Sequence, residues 1–265
     1  AYEIASCLVG SGAIGSEFAW FYAALGVKVT IIEYMPRMMP LEDEEVSKTM
    51  ERAFRKLRAT VLTSTTVKAV KVNAEGLCEV EIEGKKGAET LTADVVLSAV
   101  GIQSNIEGIG LEELGVAVER DKVVVDEFYR TNVPGVYAIG DCVFGHAQLA
   151  HTASAMGEVA AENIMGIPAV YDERTNPTCV YIEPEAASVG LTEEQCKAQG
   201  IDYKVGKFPM AANGKALILN GGEGIVKIIA GKQYGEILGM HIIGPRATDL
   251  IAEGALAIAE EMTLD

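Results

Sequence analysis

Three glycines near the start of the chain have the types and spacing of a phosphate-binding turn. Gly10, Gly12 and Gly15 stand between an apolar strand pattern over 4–9 and a helix pattern, and Glu33 ends the next strand pattern. The first glycine allows a tight turn, the second lets backbone approach a pyrophosphate, and the third lets helix and strand pack closely. The helix N-terminus attracts negative charge. The pattern predicts a dinucleotide site.

Glu33 indicates which dinucleotide is preferred. A carboxylate there can accept hydrogen bonds from both ribose hydroxyls of an adenosine, and it would repel a 2′-phosphate. Tyr34 occupies a position where a basic residue would favour binding of NADP. Pro36 is expected to turn the chain between Glu33 and Arg37, so Arg37 is interpreted as a surface or capping residue. The sequence therefore favours NAD over NADP.

Several other polar residues can be interpreted as structural or as functional. Glu17 falls in the first helical turn, where the helix dipole alone favours an acid. Asp141 follows VYAIG and either ends a strand at a turn or holds a ligand hydroxyl at the strand's carboxyl end. The histidines have no Ser, Cys or carboxylate partner at a catalytic spacing, so structural or capping roles are favoured for His146, His151 and His241.

Composition excludes several classes of partner. The formal charge of −16 argues against nucleic acid and against an anionic membrane surface. No apolar run is long enough to span a bilayer. The five cysteines are scattered without a C-x-x-C pair or metal spacing, so reduced thiols, no metal site and a cytoplasmic location are expected.

The elements that must position these residues follow from periodicity. Strand, helix and strand patterns over 4–33 form a βαβ unit, an amphipathic helix is predicted over 43–58, and period-two segments over 60–100 form an antiparallel meander before a buried strand. VVVDE and VYAIGD are predicted strands, and HTASAMGEVAAENIMG is a predicted helix.

Beyond Pro177 the chain changes to short strands and turns. TCVYIE, YKVGKFP, GIVKIIA and ILGMHIIG are predicted strands, and the segment Thr192–Gln195 has the form of a capping box. The last helix pattern is expected to bury one face formed by Leu250, Ile251, Ile258 and Met262.

Four segments of the chain resemble the pyridine nucleotide–disulfide oxidoreductases in their amino-acid sequence and in their order. These are VGSGAIGSEFAWFYAALGVKVTIIEYMPRMMP, AVGIQSN, TNVPGVYAIGDC and QLAHTASAMG. Within that family, EYMPRMMP, PEAASVGLTEEQ, KFPMAANGKA and ILGMHIIGP are most similar to the flavoenzymes that reoxidise dihydrolipoyl groups of 2-oxo-acid dehydrogenase or glycine-cleavage complexes. The resemblance implies an α/β fold with a Rossmann-like NAD-binding domain over 1–105, the rest of an FAD-binding domain over 106–175, and a truncated α+β interface domain over 176–265.

The resemblance assigns cofactor contacts by position. For NAD it implies Gly10, Ser11, Gly12, Ala13, Ile14, Gly15, Ser16, Glu17, Glu33, Val67 beside the adenine, and Gly101. For FAD it implies Asp141 on the ribityl chain, with Gln148, Leu149, Ala150 and His151 along the flavin. Ile14 and Glu17 resemble the residues nearest the flavin ring, where the family's acid pairs with a lysine that this chain does not contain.

Two positions depart from the family pattern. Arginine and proline often follow the glycine that matches Gly101, whereas this chain continues with Ile102, Gln103, Ser104 and Asn105. Methionine often stands where this chain has Gln148. At the first position, the resemblance therefore implies an NAD contact for Gly101 alone. At the second, it implies a flavin contact for the backbone of Gln148 and not for its side chain.

The chain is expected to be a fragment. In the family the redox cysteine pair precedes the matching residues and a His-Glu base pair follows them, so no catalytic residue is expected here, and FAD is expected not to be retained. The resemblance also implies a homodimer. The alternatives are a mercuric reductase, an NADH oxidase or a transhydrogenase of the same family, or a stand-alone nucleotide-binding module.

Overall fold

The computed structural model describes residues 4–264. It divides into two compact units, the first formed by Ala1–Gly101 with Pro177–Asp265 and the second by Ile102–Asn176. Each unit is described by itself. Among residues 4–264, no helix is both long and apolar enough to cross a bilayer.

The first part of unit 1 contains two helices and seven strands. In chain order these are β1 (Ala5–Val9), α1 (Ala13–Ala24), β2 (Lys28–Ile32), α2 (Glu44–Lys56), β3 (Thr60–Leu62), β4 (Thr66–Val72), β5 (Cys78–Gly84), β6 (Gly87–Ala93) and β7 (Val95–Ser98). Four of the strands form a sheet in the order β3-β2-β1-β7, and every pairing within it is parallel. The predicted βαβ unit is confirmed.

The parallel sheet buries its apolar residues because its strands are covered by helices. Leu8 and Ile31 are fully buried, and α2 contributes Met50 and Phe54 to the same core. The predicted meander is also confirmed, since β4, β5 and β6 form an antiparallel sheet between β3 and β7.

The second part of unit 1 is an antiparallel sheet with three helices. In chain order its elements are β10 (Thr178–Val180), β11 (Ala186–Gly190), α4 (Glu193–Ala198), β12 (Tyr203–Pro209), α5 (Gly214–Asn220), β13 (Ile225–Gly231), β14 (Ile237–Ile243) and α6 (Ala247–Ala259). The strand order is β10-β11-β14-β13-β12. The predicted capping box at the start of α4 is confirmed, because the Thr192 side chain accepts from the Gln195 backbone and the Gln195 side chain accepts from the Thr192 backbone.

The predicted buried face of α6 is partly wrong. Ile251 and Ile258 are buried, whereas Leu250 is 41% exposed and Met262 is 52% exposed. The helix ends at Ala259, so Met262 does not lie on its face. The buried positions are instead Ala247, Ile251, Gly254, Ala257 and Ile258, which follow the three-to-four-residue helical period.

Unit 2 has little regular structure. It contains the short strands β8 (Val118–Glu119) and β9 (Lys122–Val123), a 3₁₀ turn over Gly140–Cys142, and α3 (Ala150–Ile164). A short 3₁₀ segment, Glu173–Thr175, lies near its end. One hydrophobic cluster of this unit is formed by the buried residues Tyr129, Met156, Val159 and Ala160.

Two strand predictions in unit 2 are wrong. VVVDE contributes only Val123 to β9, and VYAIGD forms no strand. Tyr137 makes one isolated antiparallel bridge with Arg130. A strand needs a ladder of hydrogen bonds along a neighbour, and an apolar run with one bridge does not supply it.

Candidate nucleotide site

The glycine turn lies at the carboxyl edge of the parallel sheet. Gly10 has φ +96°, and a Cβ added there would lie 2.4 Å from the carbonyl oxygen of Ala99. A Cβ on Gly15 would lie 2.1 Å from the carbonyl oxygen of Gly10. Because backbone blocks both positions, only glycine allows helix α1 to approach the sheet this closely.

Gly12 differs from its two neighbours in the motif. A Cβ added at Gly12 meets no atom within 4 Å. Gly12, Ala13 and Ile14 are exposed at the first turn of α1, where backbone N–H groups have no intrahelical partner. The turn therefore combines tight packing on its inner side with open backbone N–H groups on its outer side, which is the arrangement that a pyrophosphate needs.

Glu33 follows β2 at the same edge and is only 6% exposed. Its Oε2 accepts hydrogen bonds from the backbone N–H of Ser11 at 2.8 Å and from the Ser11 hydroxyl at 2.6 Å. Its Oε1 accepts from the backbone N–H of Met35 at 2.8 Å. These three hydrogen bonds hold the carboxylate in place. Because a carboxylate has about four acceptor positions, Oε1 can still accept one further hydrogen bond.

Ser11 joins the glycine turn to the segment that follows Glu33. The backbone N–H of Met39 donates to the carbonyl oxygen of Ser11 at 3.1 Å and to its hydroxyl oxygen at 3.2 Å. The Ser16 hydroxyl donates to the same carbonyl at 3.0 Å. Ser11 and Ser16 are both fully buried. The hydroxyl of Ser11 thus connects three segments through one side chain.

Arg37 is committed to protein partners. Its guanidinium donates to the carbonyl oxygens of Pro40 at 3.1 Å and Glu42 at 3.0 Å and forms an ion pair with Glu194 at 2.7 Å. These contacts hold Arg37 against the segment before α2 and against Glu194, and they leave Glu33 as the charged side chain beside the glycine turn.

Val67 and Gly101 lie near the same edge. The backbone N–H of Thr65 donates to the carbonyl oxygen of Glu33 at 2.9 Å, which places the start of β4, and with it Val67, beside the acid. Gly101 follows β7 with φ +134° and open space around its Cα. The fold therefore places Glu33, Gly101 and the start of β4 at the same edge of the sheet as the glycine turn.

Glu17 has a partner that the sequence did not predict. Its Oε1 accepts a hydrogen bond from the backbone N–H of Tyr181 at 3.0 Å. Tyr181 follows β10 in the antiparallel sheet. The acid thus joins the two parts of unit 1.

In unit 2 the residues assigned to FAD lie around the start of α3. Asp141 is exposed in the 3₁₀ turn, and its carbonyl oxygen accepts from the Gln148 side chain at 3.2 Å and from the Lys122 ammonium at 2.9 Å. Leu149 is the N-cap of α3, and Ala150 begins the helix. His151 is the exposed second residue of α3.

Three of the five cysteines lack the lowered pKa of a redox-active thiol. All five are free. Burial, with a smaller contribution from Cys78, raises the pKa of Cys7 to about 11, and burial also raises the pKa values of Cys179 and Cys196. Reactive thiols need lowered pKa values because the thiolate is the nucleophile. Among the described residues, no group of three or more His, Cys, Asp or Glu side chains could hold a metal ion.

A buried ion cluster in unit 1 was not predicted. The Lys227 ammonium, 1% exposed, contacts Asp43 at 2.8 Å, Glu193 at 2.5 Å and Glu45 at 3.1 Å. Burial alone would lower the pKa of Lys227, but the hydrogen bonds that its ammonium donates to Asp43 and Glu193 outweigh burial and raise the pKa. The signal that could have found this cluster is a lysine at an inward position of an otherwise apolar strand, IVKIIA.

The parallel sheet, glycine turn and strand-end acid define a dinucleotide-binding α/β protein. The family model described as "Pyridine nucleotide-disulphide oxidoreductase" matches residues 4–157, and the model of its dimerisation domain matches 176–265. The chain belongs to the pyridine nucleotide-disulphide oxidoreductase family. Complete members of this family use FAD and a pyridine nucleotide.

Curated relatives carry a more specific name. The dihydrolipoyl dehydrogenase of Rhizobium etli is 45% identical over 97% of this chain and 53% of its own length. That of Mycobacterium leprae is 44% identical over 97% of this chain and 55% of its own length, and that of Bacillus subtilis is 44% identical over 94% and 53%. The chain spans about half the length of the curated relatives it matches.

Solved structures show the same fold. LpdA from Mycobacterium tuberculosis superposes with a TM-score of 0.89 at 28% identity, covering 99% of this chain and 57% of that one. The HOCl-induced flavoprotein disulfide reductase RclA from Escherichia coli gives a TM-score of 0.86 at 26% identity, covering 98% and 59%. The predicted α/β class is therefore confirmed.

Proposed function

We propose that this chain is the NAD-binding and dimerisation portion of a dihydrolipoyl dehydrogenase. The observation that carries the NAD assignment is Glu33, buried and oriented beside the open backbone of Gly12. The domain assignment that accompanies it is NAD binding over 1–105, part of the FAD domain over 106–175, and the interface domain over 176–265. The complete enzyme would serve a 2-oxo-acid dehydrogenase or glycine-cleavage complex in the cytoplasm.

The residues of the chain have separate roles in this proposal. The first turn of α1 binds the pyrophosphate through backbone N–H groups, while Glu33 accepts hydrogen bonds from the adenosine ribose. Val67 contacts the adenine, and Gly101 leaves room for the nucleotide. Ser11, Ser16 and Glu17 complete the NAD side, with Ser11 also orienting Glu33.

The FAD assignment concerns Asp141 and the segment 148–151. Asp141 would accept a hydrogen bond from the ribityl chain, and the backbone at the start of α3 would lie along the flavin. When bound in the complete enzyme, FAD would supply two-electron transfer between a dihydrolipoyl dithiol and NAD. Oxidation of the dithiol to a disulfide would release two electrons and two protons; both electrons and one proton would leave as the hydride on NADH, and the second proton would go to solvent.

The 265-residue polypeptide is expected to show no lipoamide turnover and to purify with little FAD. Its thiols are scattered singly, and Cys7, Cys179 and Cys196 have raised pKa values. Asp141 and residues 148–151 contact only part of a flavin dinucleotide. Stoichiometric FAD in the purified polypeptide, measured by its visible absorbance, would contradict the second expectation.

A different enzyme of the same family is the second candidate, because RclA is also a flavoprotein disulfide reductase with this fold. Identity favours the first proposal, since the dihydrolipoyl dehydrogenases are 42–45% identical to this chain and RclA is 26% identical. The remaining alternative is a module that only binds a nucleotide.

Titration calorimetry with NADH and NADPH tests the proposal. NADH is expected to bind more tightly, and Glu33→Ala is expected to weaken NADH binding by about 1–3 kcal/mol through loss of buried hydrogen bonds. Glu89→Ala, at an exposed position of β6, is the matched control and should leave binding unchanged. Equal or tighter binding of NADPH, or no effect of Glu33→Ala, would contradict the NAD assignment.

The dimer proposal rests on the match to a dimerisation domain and on exposed apolar side chains in 176–264. Tyr181 is 69% exposed, Leu256 60% and Met262 52%, and such surface is typical of a subunit contact. Sedimentation equilibrium should show a dimer at tens of micromolar, and a strict monomer would contradict the proposal.

A further inference from the structure

Glu42 links the antiparallel sheet to the segment beside the glycine turn. Its carboxylate accepts hydrogen bonds from the hydroxyls of Ser188 on β11 and Thr178 on β10, the latter at 3.1 Å. The neighbouring Asp43 is bound to Lys227 on β13. The chain between Glu33 and α2 is therefore fixed at its far end by side chains of the antiparallel sheet.

A continuous series of hydrogen bonds runs from Glu42 to Glu33. The backbone N–H of Glu42 donates to the carbonyl oxygen of Met39 at 3.0 Å, and the backbone N–H of Met39 donates to the Ser11 hydroxyl oxygen at 3.2 Å. The Ser11 hydroxyl donates to Glu33 Oε2 at 2.6 Å. Glu42, Met39, Ser11 and Glu33 are each no more than 9% exposed, so water does not readily replace these bonds.

The segment needs this anchor because its backbone is not regular. Met39 has φ +45°, a left-handed conformation that costs free energy for a residue with a side chain. The surroundings must therefore hold it. If the Glu42 end is released, the Met39 N–H no longer fixes the Ser11 hydroxyl, and that hydroxyl can rotate away from Glu33.

We propose that Glu42 is a positioning residue for Glu33, so that the antiparallel sheet helps to set the affinity of the nucleotide site. This inference rests on the proposed binding of NAD at Glu33. It makes residues 176–264 a contributor to nucleotide binding through Ser188 and Thr178, in addition to their proposed role in dimerisation.

A double-mutant cycle in NADH binding tests the positioning role. Glu42→Ala is expected to weaken NADH binding about threefold or more, a coupling typical of residues in one hydrogen-bond network. In a Glu33→Ala background the same change should have almost no effect. Glu42→Gln should restore most of the affinity, because the hydroxyls of Ser188 and Thr178 can rotate to suit an amide. Arg55→Ala, exposed on α2, is the control and should not alter binding.

Ser188→Ala provides a second test that leaves the acid in place. Like Glu42→Ala, this variant is expected to weaken NADH binding, and it should also speed hydrogen exchange at the Met39 amide. A change in nucleotide contacts alone would not speed exchange at that amide. Equal losses from Glu42→Ala in both backgrounds, or a folded Glu42→Ala variant with unchanged affinity, would contradict the positioning role. Absence of NADH binding by the unaltered chain would instead contradict the proposed function on which it rests.

Discussion

Two acids occupy similar places in the sequence and different places in the structure. Glu33 follows the apolar run VKVTII, and Asp141 follows the apolar run VYAIG. Glu33 is buried, with three hydrogen bonds to its carboxylate from Ser11 and Met35. Asp141 is exposed, and its backbone oxygen accepts hydrogen bonds from Lys122 and Gln148.

The difference comes from the strands that precede the two acids. β2 is paired with β1 on one side and β3 on the other, so its carboxyl end is fixed in the sheet. The run before Asp141 has only the bridge between Tyr137 and Arg130. An acid at the end of an apolar run is therefore preorganised only where the run is part of a sheet. The carboxylate at the proposed NAD position is therefore held by the sheet and the glycine turn, whereas Asp141 at the proposed FAD position is exposed.

The largest expected effect is on the ion cluster that fixes the region around Glu33. Lys227→Met leaves the buried carboxylate of Asp43 without its ammonium partner and should lower the free energy of unfolding by about 3–5 kcal/mol. Urea unfolding followed by the fluorescence of Trp20, the single tryptophan, measures it. Lys207→Met, a lysine with a 48% exposed side chain that pairs with Glu45, is the control and should cost less than about 1 kcal/mol. Equal costs for the two variants would contradict this account of the cluster.

The same cluster has a defined pH dependence. For Asp43, burial raises the pKa, but the hydrogen bond from Lys227 and other bonds outweigh it and lower the pKa. Lys227 also lowers the pKa of Glu193. A lowered carboxyl pKa stabilises the fold above the unfolded pKa, roughly 4, and the contribution is lost as the pH falls through the folded pKa. The stability difference between the unaltered chain and Lys227→Met should therefore shrink below about pH 4, and a constant difference would contradict it.

The next effect separates the packing role of Gly10 on the inner side of the glycine turn from the proposed binding role of Gly12 on its outer side. Gly10→Ala should lower the free energy of unfolding by about 2 kcal/mol or more, because Gly10 has φ +96° and its new Cβ meets a carbonyl oxygen. Gly12→Ala meets no atom and should leave stability within about 0.5 kcal/mol while weakening NADH binding. Thermal unfolding and calorimetry on both variants measure this. A Gly12→Ala variant as unstable as Gly10→Ala would contradict the division.

Some of this structure could be predicted from local sequence. β12 spans Tyr203–Pro209 as its alternating pattern indicates, and the capping box of α4 forms as its spacing indicates, because both depend on residues close in the chain. The glycine turn and Glu33 were also identified from strand, turn and helix context. The functional assignment of these residues stays a proposal.

Other features depend on contacts between distant residues and could not be predicted. β11 (Ala186–Gly190) and α5 (Gly214–Asn220) were missed, since neither has a distinct period. The Glu42 anchor needs Ser188 and Thr178 from strands more than a hundred residues away, with separations of 146 and 136 residues. Sequence spacing carries no signal for such a pair.

Hydrogen exchange of single amides, with and without NADH, tests most directly whether the nucleotide site is preformed. The amides of Ser11 and Met35, which donate to Glu33, should exchange slowly before nucleotide is added. NADH should then slow the amides from Gly12 to Gly15, which lie at the open first turn of α1, while those from Gly145 to Gln148, in the loop before α3, exchange quickly in the absence of ligand. Exchange at Ser11 and Met35 as fast as that of Gly145 to Gln148, or no change from Gly12 to Gly15 on adding NADH, would contradict a preformed NAD site.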